Sequence, residues 1–150
     1  MAGELARLEP LVGEWSIEAS IPDAPLGRVV FEWALGGSFL LQRTDVPHPD
    51  APDSLCLIRY DDGSGVYSQH YFDSRGVVRL YAMTFGDGVW TLRRDAPDFS
   101  PLNFHQRFIG RFWDDGDTID GHWETSPDGV DWELDFTLIY RRIRDRTNSA

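Results

Sequence analysis

The sequence has 150 residues, 14 basic and 25 acidic, which gives a formal net charge of −11 with neutral histidines. This length is typical of one domain with one core, and the charge would repel nucleic acid and anionic membranes. Six Trp, five Tyr and nine Phe exclude a disordered chain. We therefore expect a single folded domain over residues 1–150, with neither nucleic acid nor a membrane as partner.

The sequence also indicates a cellular compartment. Cys56 is its single cysteine, so neither an internal disulfide nor a thiolate metal cluster can form. Residues 1–12 include acids, Arg7 and Pro10 where a signal peptide needs a continuous apolar run. Histidine or cysteine pairs with metal-ligand spacing are absent. We expect a soluble, cytoplasmic protein without a metal site.

The first predicted element is a short helix over residues 3–9, which Pro10 ends. Most of the chain after it alternates between apolar and polar residues. The clearest strands are predicted at 15–21, 29–35, 104–112, 119–123 and 132–140, and weaker ones at 38–46, 54–61, 66–73, 77–85 and 89–94. Glycine-containing pairs such as Asp115-Gly116 form tight turns between them. The pattern predicts about ten sequential antiparallel strands.

Two turns near the carboxyl end set testable registers. A turn at Asp115-Gly116 pairs Phe112 with Ile119, Phe108 with Trp123, Arg107 with Glu124 and Arg111 with Asp120, so apolar residues meet apolar ones and charges meet opposite charges. A turn at Asp128-Gly129 pairs Trp123 with Leu134, Gly121 with Phe136 and His122 with Asp135. Both registers put the same face of the sheet in water.

A ten-stranded antiparallel sheet with one apolar face must fold over or close, because an open sheet leaves that face in water and two edges unpaired. We predict an all-β, closed up-and-down barrel with a short N-terminal helix. A barrel of ten strands is wider than side chains usually fill, so we also predict an internal ligand cavity.

Several segments, taken in order and spacing, resemble a bacterial family of calycin-like proteins classed as a domain of unknown function. The segments are 10–15 (PLVGEW), 33–39 (WALGGSF), 71–76 (YFDSRG), 79–81 (RLY), 106–110 (QRFIG) and 123–132 (WETSPDGVDW). The resemblance runs over most of the chain. It implies a small β-barrel with an internal pocket and implies no reaction.

The Gly13-Glu14-Trp15 segment after a short helix also looks like the start of the nitrobindin family, ten-stranded barrels that hold haem through a histidine near the carboxyl end. The last predicted strand, 132–142, contains no histidine, so that ligand has no counterpart here. We expect no cofactor, with haem disfavoured.

The middle strands carry four candidate site residues. These are His70, Arg79, Tyr81 and Met83. A two-residue turn at 74–75 pairs His70 with Arg79, and a turn at Gly86-Asp87 then places all four on the cavity wall, whereas a loop one residue longer there turns them outward. We favour the inward arrangement, because the outward one buries Gln69 and leaves Tyr81 and Phe72 in water. Arg79 would then bind an anionic or carbonyl oxygen, His70 and Tyr81 would form hydrogen bonds, and Met83 would adapt to the ligand.

Further candidates lie on the predicted apolar faces. Gln106 lies among phenylalanines, where a buried amide must find a partner or costs about 1–3 kcal/mol. Core packing is the default role of the tryptophans, all of which but Trp113 fall on predicted inner faces, but as a set they would line an aromatic cavity. The candidate ligand-binding set is completed by Trp15, Trp33, Trp123 and Tyr140.

The function favoured by these features is binding of a small hydrophobic or aromatic ligand inside the barrel. One alternative is a lipocalin-like isomerase or cyclase in which His70, Arg79 and Tyr81 serve as acid–base and oxyanion groups. A nitrobindin-like haem protein is another. A further alternative is a homodimer through an outward face formed by Ile58, Tyr60, Tyr71 and Leu80.

Overall fold

The computed structural model describes residues 3–49, 51–99 and 101–144. A 3₁₀ helix spans Glu4–Leu11, and a short 3₁₀ segment, Leu35–Gly37, follows the second strand. The ten strands, β1 to β10, are Gly13–Ala19, Gly27–Ala34, Phe39–Asp45, Ser54–Asp61, Val66–Asp73, Val78–Gly86, Val89–Arg94, His105–Trp113, Thr118–Ser126 and Glu133–Ile143. In these parts of the chain no helical segment has the length and apolarity that a bilayer span requires.

The strands form a closed barrel. Each pairs antiparallel with its neighbours in sequence, and β1 also pairs with β10, where Glu14 lies opposite Ile143 and Ala19 opposite Leu138. The predicted all-β closed barrel of ten strands with a short N-terminal helix is therefore confirmed. Closure satisfies the backbone groups that edge strands would expose.

The N-terminal helix closes one end of the barrel, which we call the base. Leu8 and Leu11 are fully buried there, and the Trp15 indole donates to the Leu11 carbonyl at 2.9 Å. The Tyr67 hydroxyl donates to the Glu4 carbonyl at 2.6 Å. The helix runs two residues beyond its predicted end, because the φ of Pro10 is compatible with helical geometry.

Arg142 of β10 ties this helix to the barrel. Its guanidinium donates to the carbonyl of Val12 at 2.8 Å and to that of Pro10 at 2.6 Å, and it lies 4.1 Å above the Trp15 ring centroid. A further bond joins it to the carboxylate of Asp117, in the β8–β9 turn. One side chain therefore connects the helix, β10 and a turn at the base.

The predicted register of β8 and β9 is confirmed. Phe112 lies opposite Ile119 and Phe108 opposite Trp123. On the outer face Arg107 donates to Glu124 at 2.5 Å. The alternation and the charge pairs together were enough to fix this hairpin.

The predicted register of β9 and β10 is wrong by two residues. Trp123 lies opposite Phe136 rather than Leu134, and His122 lies opposite Thr137 rather than Asp135. One residue of the shift arises at the turn, after which Leu134 lies opposite Glu124, and a bulge between Leu134 and Phe136 adds the second. In that turn the Asp128 carboxylate and the Ser126 hydroxyl accept backbone N–H bonds.

Two residues predicted to face inward lie elsewhere because of that bulge and turn. Leu134 is 61% exposed. Trp132 precedes β10 and packs beneath the guanidiniums of Arg93 and Arg107 outside the barrel. Cation–π contact stabilises this outer arrangement.

The register of β5 and β6 also differs from the favoured one. His70 pairs with Leu80, and Gln69 with Tyr81, so His70 points to the outer face while Tyr81 points inward. The last pair, Phe72 with Val78, leaves residues 73–77 as an odd-numbered connection, and an odd number reverses the face that a two-residue turn would give. The four predicted wall residues are therefore divided between the two faces.

The Asp73 carboxylate holds this connection in place. It accepts the backbone N–H of Arg75 and of Val77, the Arg75 guanidinium and the Tyr71 hydroxyl. Burial alone would raise the pKa of Asp73, but the bonds from Arg75, Tyr71 and the backbone outweigh it and lower that pKa to about 2.

Candidate functional site

The barrel encloses a cavity of about 1050 Å³ in the half away from the helix. Its opening, which we call the mouth, lies among the connections β1–β2, β3–β4 and β9–β10. The mouth residues are Ile21, Pro22, Asp23, Ala24, Pro25, His48, Ala51, Pro52 and Pro127. The volume is at the upper end of the range typical of small-molecule sites.

One side of the cavity is apolar, and we call it the apolar wall. It is formed by Ile17, Ala19, Leu92, Phe108, Trp123, Phe136, Leu138 and Tyr140. Phe108 lies edge-on to Trp90 at 4.8 Å and tilted against Trp123 at 5.2 Å, measured between ring centroids. Such contacts hold the rings in defined positions, so this surface is pre-formed for a flat apolar molecule.

Next to the apolar wall lies a polar group that we call the Gln106 cluster, formed by Arg79 and Tyr81 of β6 and Gln106 of β8. The Tyr81 ring lies 5.6 Å from that of Trp123, measured between centroids. The Arg79 guanidinium donates to Gln106 Oε1 at 3.2 Å, and the Tyr81 hydroxyl donates to the same oxygen at 3.1 Å. Burial raises the pKa of Tyr81 even though the neighbouring Arg79 lowers it, so the phenol keeps its proton and remains a donor. Two donors thus converge on one point of the cavity wall.

A second polar group, the Gln69 cluster, consists of Gln42, Cys56 and Gln69. The Gln69 amide contacts Cys56 Sγ at 3.0 Å and Gln42 Oε1 at 3.5 Å. Burial raises the pKa of Cys56 to about 12, with the Gln69 contact opposing it. The thiol is therefore protonated at neutral pH, which makes it a poor nucleophile.

Two buried polar atoms of the cavity lining have no hydrogen-bond partner in the described parts of the chain. They are Gln69 Oε1 and Trp90 Nε1, on side chains of residues that are 4% and 1% exposed. A buried polar atom without a partner costs about 1–3 kcal/mol. The lining therefore offers one acceptor and one donor that are not used by the protein.

The arginines near the cavity differ in how their charge is balanced. Arg75 pairs with Asp73, and Arg94 forms a buried ion pair with Asp98 at 2.8 Å. Arg79 has no carboxylate in ion-pair distance within residues 3–49, 51–99 and 101–144, and its hydrogen-bond acceptor is the neutral amide of Gln106.

Five of the nine predicted site residues line the cavity. They are Arg79, Tyr81, Gln106, Trp123 and Tyr140. Trp15, Trp33 and Met83 also point inward but lie in the base, where Trp33 donates to the Glu9 carboxylate at 3.1 Å. The alternating pattern indicates which face is apolar but not how far along the barrel a residue lies.

His70 is not in the cavity. It lies on the outer face, opposite Leu57 and Leu80 of the neighbouring strands, with Ser68 at 3.4 Å. Burial, assisted by the charge of Arg59, lowers its pKa. The predicted acid–base group of His70, Arg79 and Tyr81 is therefore not assembled.

The Gln69 cluster was missed because a glutamine on an inner face contradicts the apolar pattern. The predicted dimer face is wrong for a related reason: Ile58, Tyr60 and Tyr71 point into the barrel and only Leu80 points out. Both errors, the missed Gln69 cluster and the wrong dimer face, follow from the five-residue connection 73–77. The spacing of residues in the sequence did not predict the length of this connection. A homodimer through some other face stays a prediction.

The described cavity lining does not suit haem bound through a deep histidine. Its one histidine, His48, lies at the mouth. Cys56 and Tyr140, which lie deeper and are of types that ligate iron in other proteins, are buried, and burial raises the pKa of each. No group of three or more His, Cys, Asp or Glu side chains placed to hold a metal ion occurs among the residues that the structure describes.

Comparison with known proteins gives a likeness in fold. No protein-family model matches the chain, and no curated protein matches it in sequence. Fourteen chains of solved structures match it. One is the crystal structure of Rv2717c from M. tuberculosis, with a TM-score of 0.61 and 20% sequence identity over 96% of this chain and 99% of that one. At this identity the likeness shows the barrel fold alone.

Proposed function

We propose that the protein binds a small hydrophobic or aromatic molecule inside the barrel. The observation that carries the proposal is the cavity of about 1050 Å³, which has the apolar wall on one side and two unpartnered polar atoms in its lining. Burying a ligand against this wall contributes about 25 cal/mol for each Å² of apolar surface removed from water. The unpartnered Gln69 Oε1 and Trp90 Nε1 would gain hydrogen bonds to a suitable ligand.

The resemblance noted in the sequence supports a finer assignment. We propose a bacterial, calycin-like protein, since the segments 10–15, 33–39 and 123–132 resemble that family. The barrel with an internal cavity is consistent with this assignment. We also propose a cytoplasmic location, which the single cysteine, Cys56, supports. A lipocalin-like enzyme is less well supported, because His70 is on the outer face.

A neutral fluorescent probe tests cavity binding directly. N-phenyl-1-naphthylamine is expected to fluoresce strongly with the wild-type protein. Leu138→Trp should weaken probe binding, because Leu138 lines the cavity and the larger ring would occupy part of the space at the apolar wall. Leu134→Trp is the matched control on the same strand, since Leu134 is exposed outside the barrel.

The outcomes are distinct when both variants retain a cooperative thermal transition. Undiminished probe binding by Leu138→Trp, or weakened binding in Leu134→Trp alone, would place the binding site elsewhere. Failure of the wild-type protein to bind the probe would contradict an apolar binding cavity. A visible absorption spectrum of the purified protein tests the haem alternative, which a Soret band would support.

A further inference from the structure

We infer that the ligand of this cavity is an aromatic carboxylic acid, bound as its anion through Arg79. This inference rests on the proposed function and adds the charge and orientation of the ligand. Three features carry it: the charge balance of Arg79, the convergence of two donors, and the position of these donors next to the apolar wall.

Arg79 carries a positive charge that lacks a negative counterpart in the described structure. Its neighbours Arg75 and Arg94 each pair with a carboxylate, whereas the Arg79 guanidinium donates to the neutral amide oxygen of Gln106 and lies 6.0 Å from the centroid of the Phe104 ring. A guanidinium on a half-buried wall binds an anion more strongly than a neutral acceptor, because charge-assisted hydrogen bonds are about twice as strong as neutral ones. The site therefore favours an anionic group.

The donors also have the right arrangement for a carboxylate. Arg79 Nη1 and the Tyr81 hydroxyl lie 3.2 and 3.1 Å from one oxygen, Gln106 Oε1. A ligand carboxylate oxygen that replaces Gln106 Oε1 would accept both bonds, and the planar guanidinium can offer a second N–H to the other oxygen. The Tyr81 phenol is suited to this role because its raised pKa keeps the proton on the donor.

The strand order places this head-group site across the barrel from two acidic residues of the cavity lining, Asp23 and Asp135. Arg79 is on β6, five positions around the barrel from β1, whereas Asp23 and Asp135 lie on the β1–β2 connection and on β10. The apolar wall continues from β7 through β10 to β1. A ligand with its carboxylate at Arg79 would thus lay its apolar body across Phe108 and Trp123, which favours an aromatic acid.

Calorimetric titration with two matched ligands tests the inference. The ligands are 2-naphthoate, which carries the negative charge, and 2-naphthamide, which has the same ring and shape without it. We expect the wild-type protein to bind the naphthoate at least about tenfold more tightly than the amide. Arg79→Met should remove that preference, with the amide affinity changed less than about threefold.

Two further variants separate charge from folding. Arg79→Lys keeps the charge but not the fork geometry, so its preference for naphthoate should be intermediate. Arg111→Met, at an exposed outer position of β8, should leave both affinities at the wild-type value. Thermal melts of all variants check that each is folded.

Each outcome decides a different point. Equal wild-type affinities for the two ligands, or a preference that survives Arg79→Met, would overturn the carboxylate assignment and leave cavity binding intact. Binding of neither ligand to the wild-type protein would overturn the assignment and also count against the proposed function.

Discussion

The ring of Phe108 lies on a pair of glycines, and this contact predicts a large effect for a one-carbon substitution. Gly110 and Gly121 face each other across β8 and β9. A Cβ added at Gly121 would lie 2.6 Å from two atoms of the Phe108 ring and 3.3 Å from the Leu138 carbonyl oxygen. Carbon atoms in contact are normally about 3.5–4.0 Å apart, so the ring would have to move by roughly 1 Å.

That movement is resisted by the packing around Phe108. The ring is 1% exposed and contacts Trp90, Trp123 and Tyr140. Overpacking of this kind costs about 1–3 kcal/mol, and the lower chain entropy of alanine returns about 0.5–1 kcal/mol. We expect Gly121→Ala to lower the free energy of unfolding by about 1–2 kcal/mol and Tm by roughly 2–8 °C.

Urea denaturation and thermal melts measure this effect. Gly63→Ala is the matched control, because its added Cβ meets its nearest atom at an ordinary 3.5 Å. Combining Gly121→Ala with Phe108→Leu should add little to the cost of Phe108→Leu alone, since the smaller side chain leaves room for the methyl group. A Gly121→Ala protein as stable as wild type would refute the close packing of the ring on the glycine pair.

Three other predictions concern the base, a turn and the cavity thiol. Arg142→Met should lower the free energy of unfolding in urea by about 2–4 kcal/mol, because bonds from a charged group to the helix carbonyls are lost, whereas Arg141→Met, at an exposed pair with Glu18, should cost under about 1 kcal/mol. An Arg142→Met loss no larger than the control's would contradict this role. The pKa of Asp73 is lower in the folded protein than in the unfolded chain, so the ionised carboxylate stabilises the fold. Its contribution of about 1–2 kcal/mol to the free energy of unfolding is present above pH 4 and is lost as the pH falls toward 2. Asp73→Asn should make the free energy of unfolding, measured by urea denaturation at pH values from 5 to 2, fall less steeply with decreasing pH. A pH dependence equal to that of the wild-type protein would contradict this role of Asp73. Because burial raises the pKa of Cys56 to about 12, iodoacetamide at pH 8 should alkylate it over about 10³-fold more slowly than an exposed thiol. Intact-protein mass spectrometry follows the reaction, and labelling at the rate of an exposed thiol would show that the cysteine is accessible.

The parts of the fold that were predictable are those set by local alternation. The β8–β9 hairpin has apolar and charged pairs in the same register, so Arg107 and Glu124 reinforce what Phe108 and Trp123 indicate. The bulge near Leu134 depends on side chains that bond within a turn, and such bonds leave no periodic signal. The strand count and closure did not depend on this detail.

The candidate site was predictable only in part. Tyr81 and Gln106 were placed on the inner wall, but Gln69 beside them was taken as evidence against the correct register. Hydrogen bonds from other polar side chains can offset the cost of burying an amide in a cavity. The alternation of apolar and polar residues along a strand does not reveal such partners on other strands. Trp15 and Met83 lie in the base because the N-terminal helix fills that end, a packing contact between distant parts of the sequence.

The pairing of β1 with β10 has a consequence for how the chain folds. The eight intervening strands can form as successive hairpins between neighbours in sequence, whereas Glu14 must find Ile143 across almost the whole chain. Contacts of such long sequence separation form slowly, because the entropy of closing the loop is lost before the contact stabilises anything. Until that step both outer strands of the sheet present unpaired backbone groups, so we expect barrel closure to be the rate-limiting event and the stage at which the chain is most prone to aggregate.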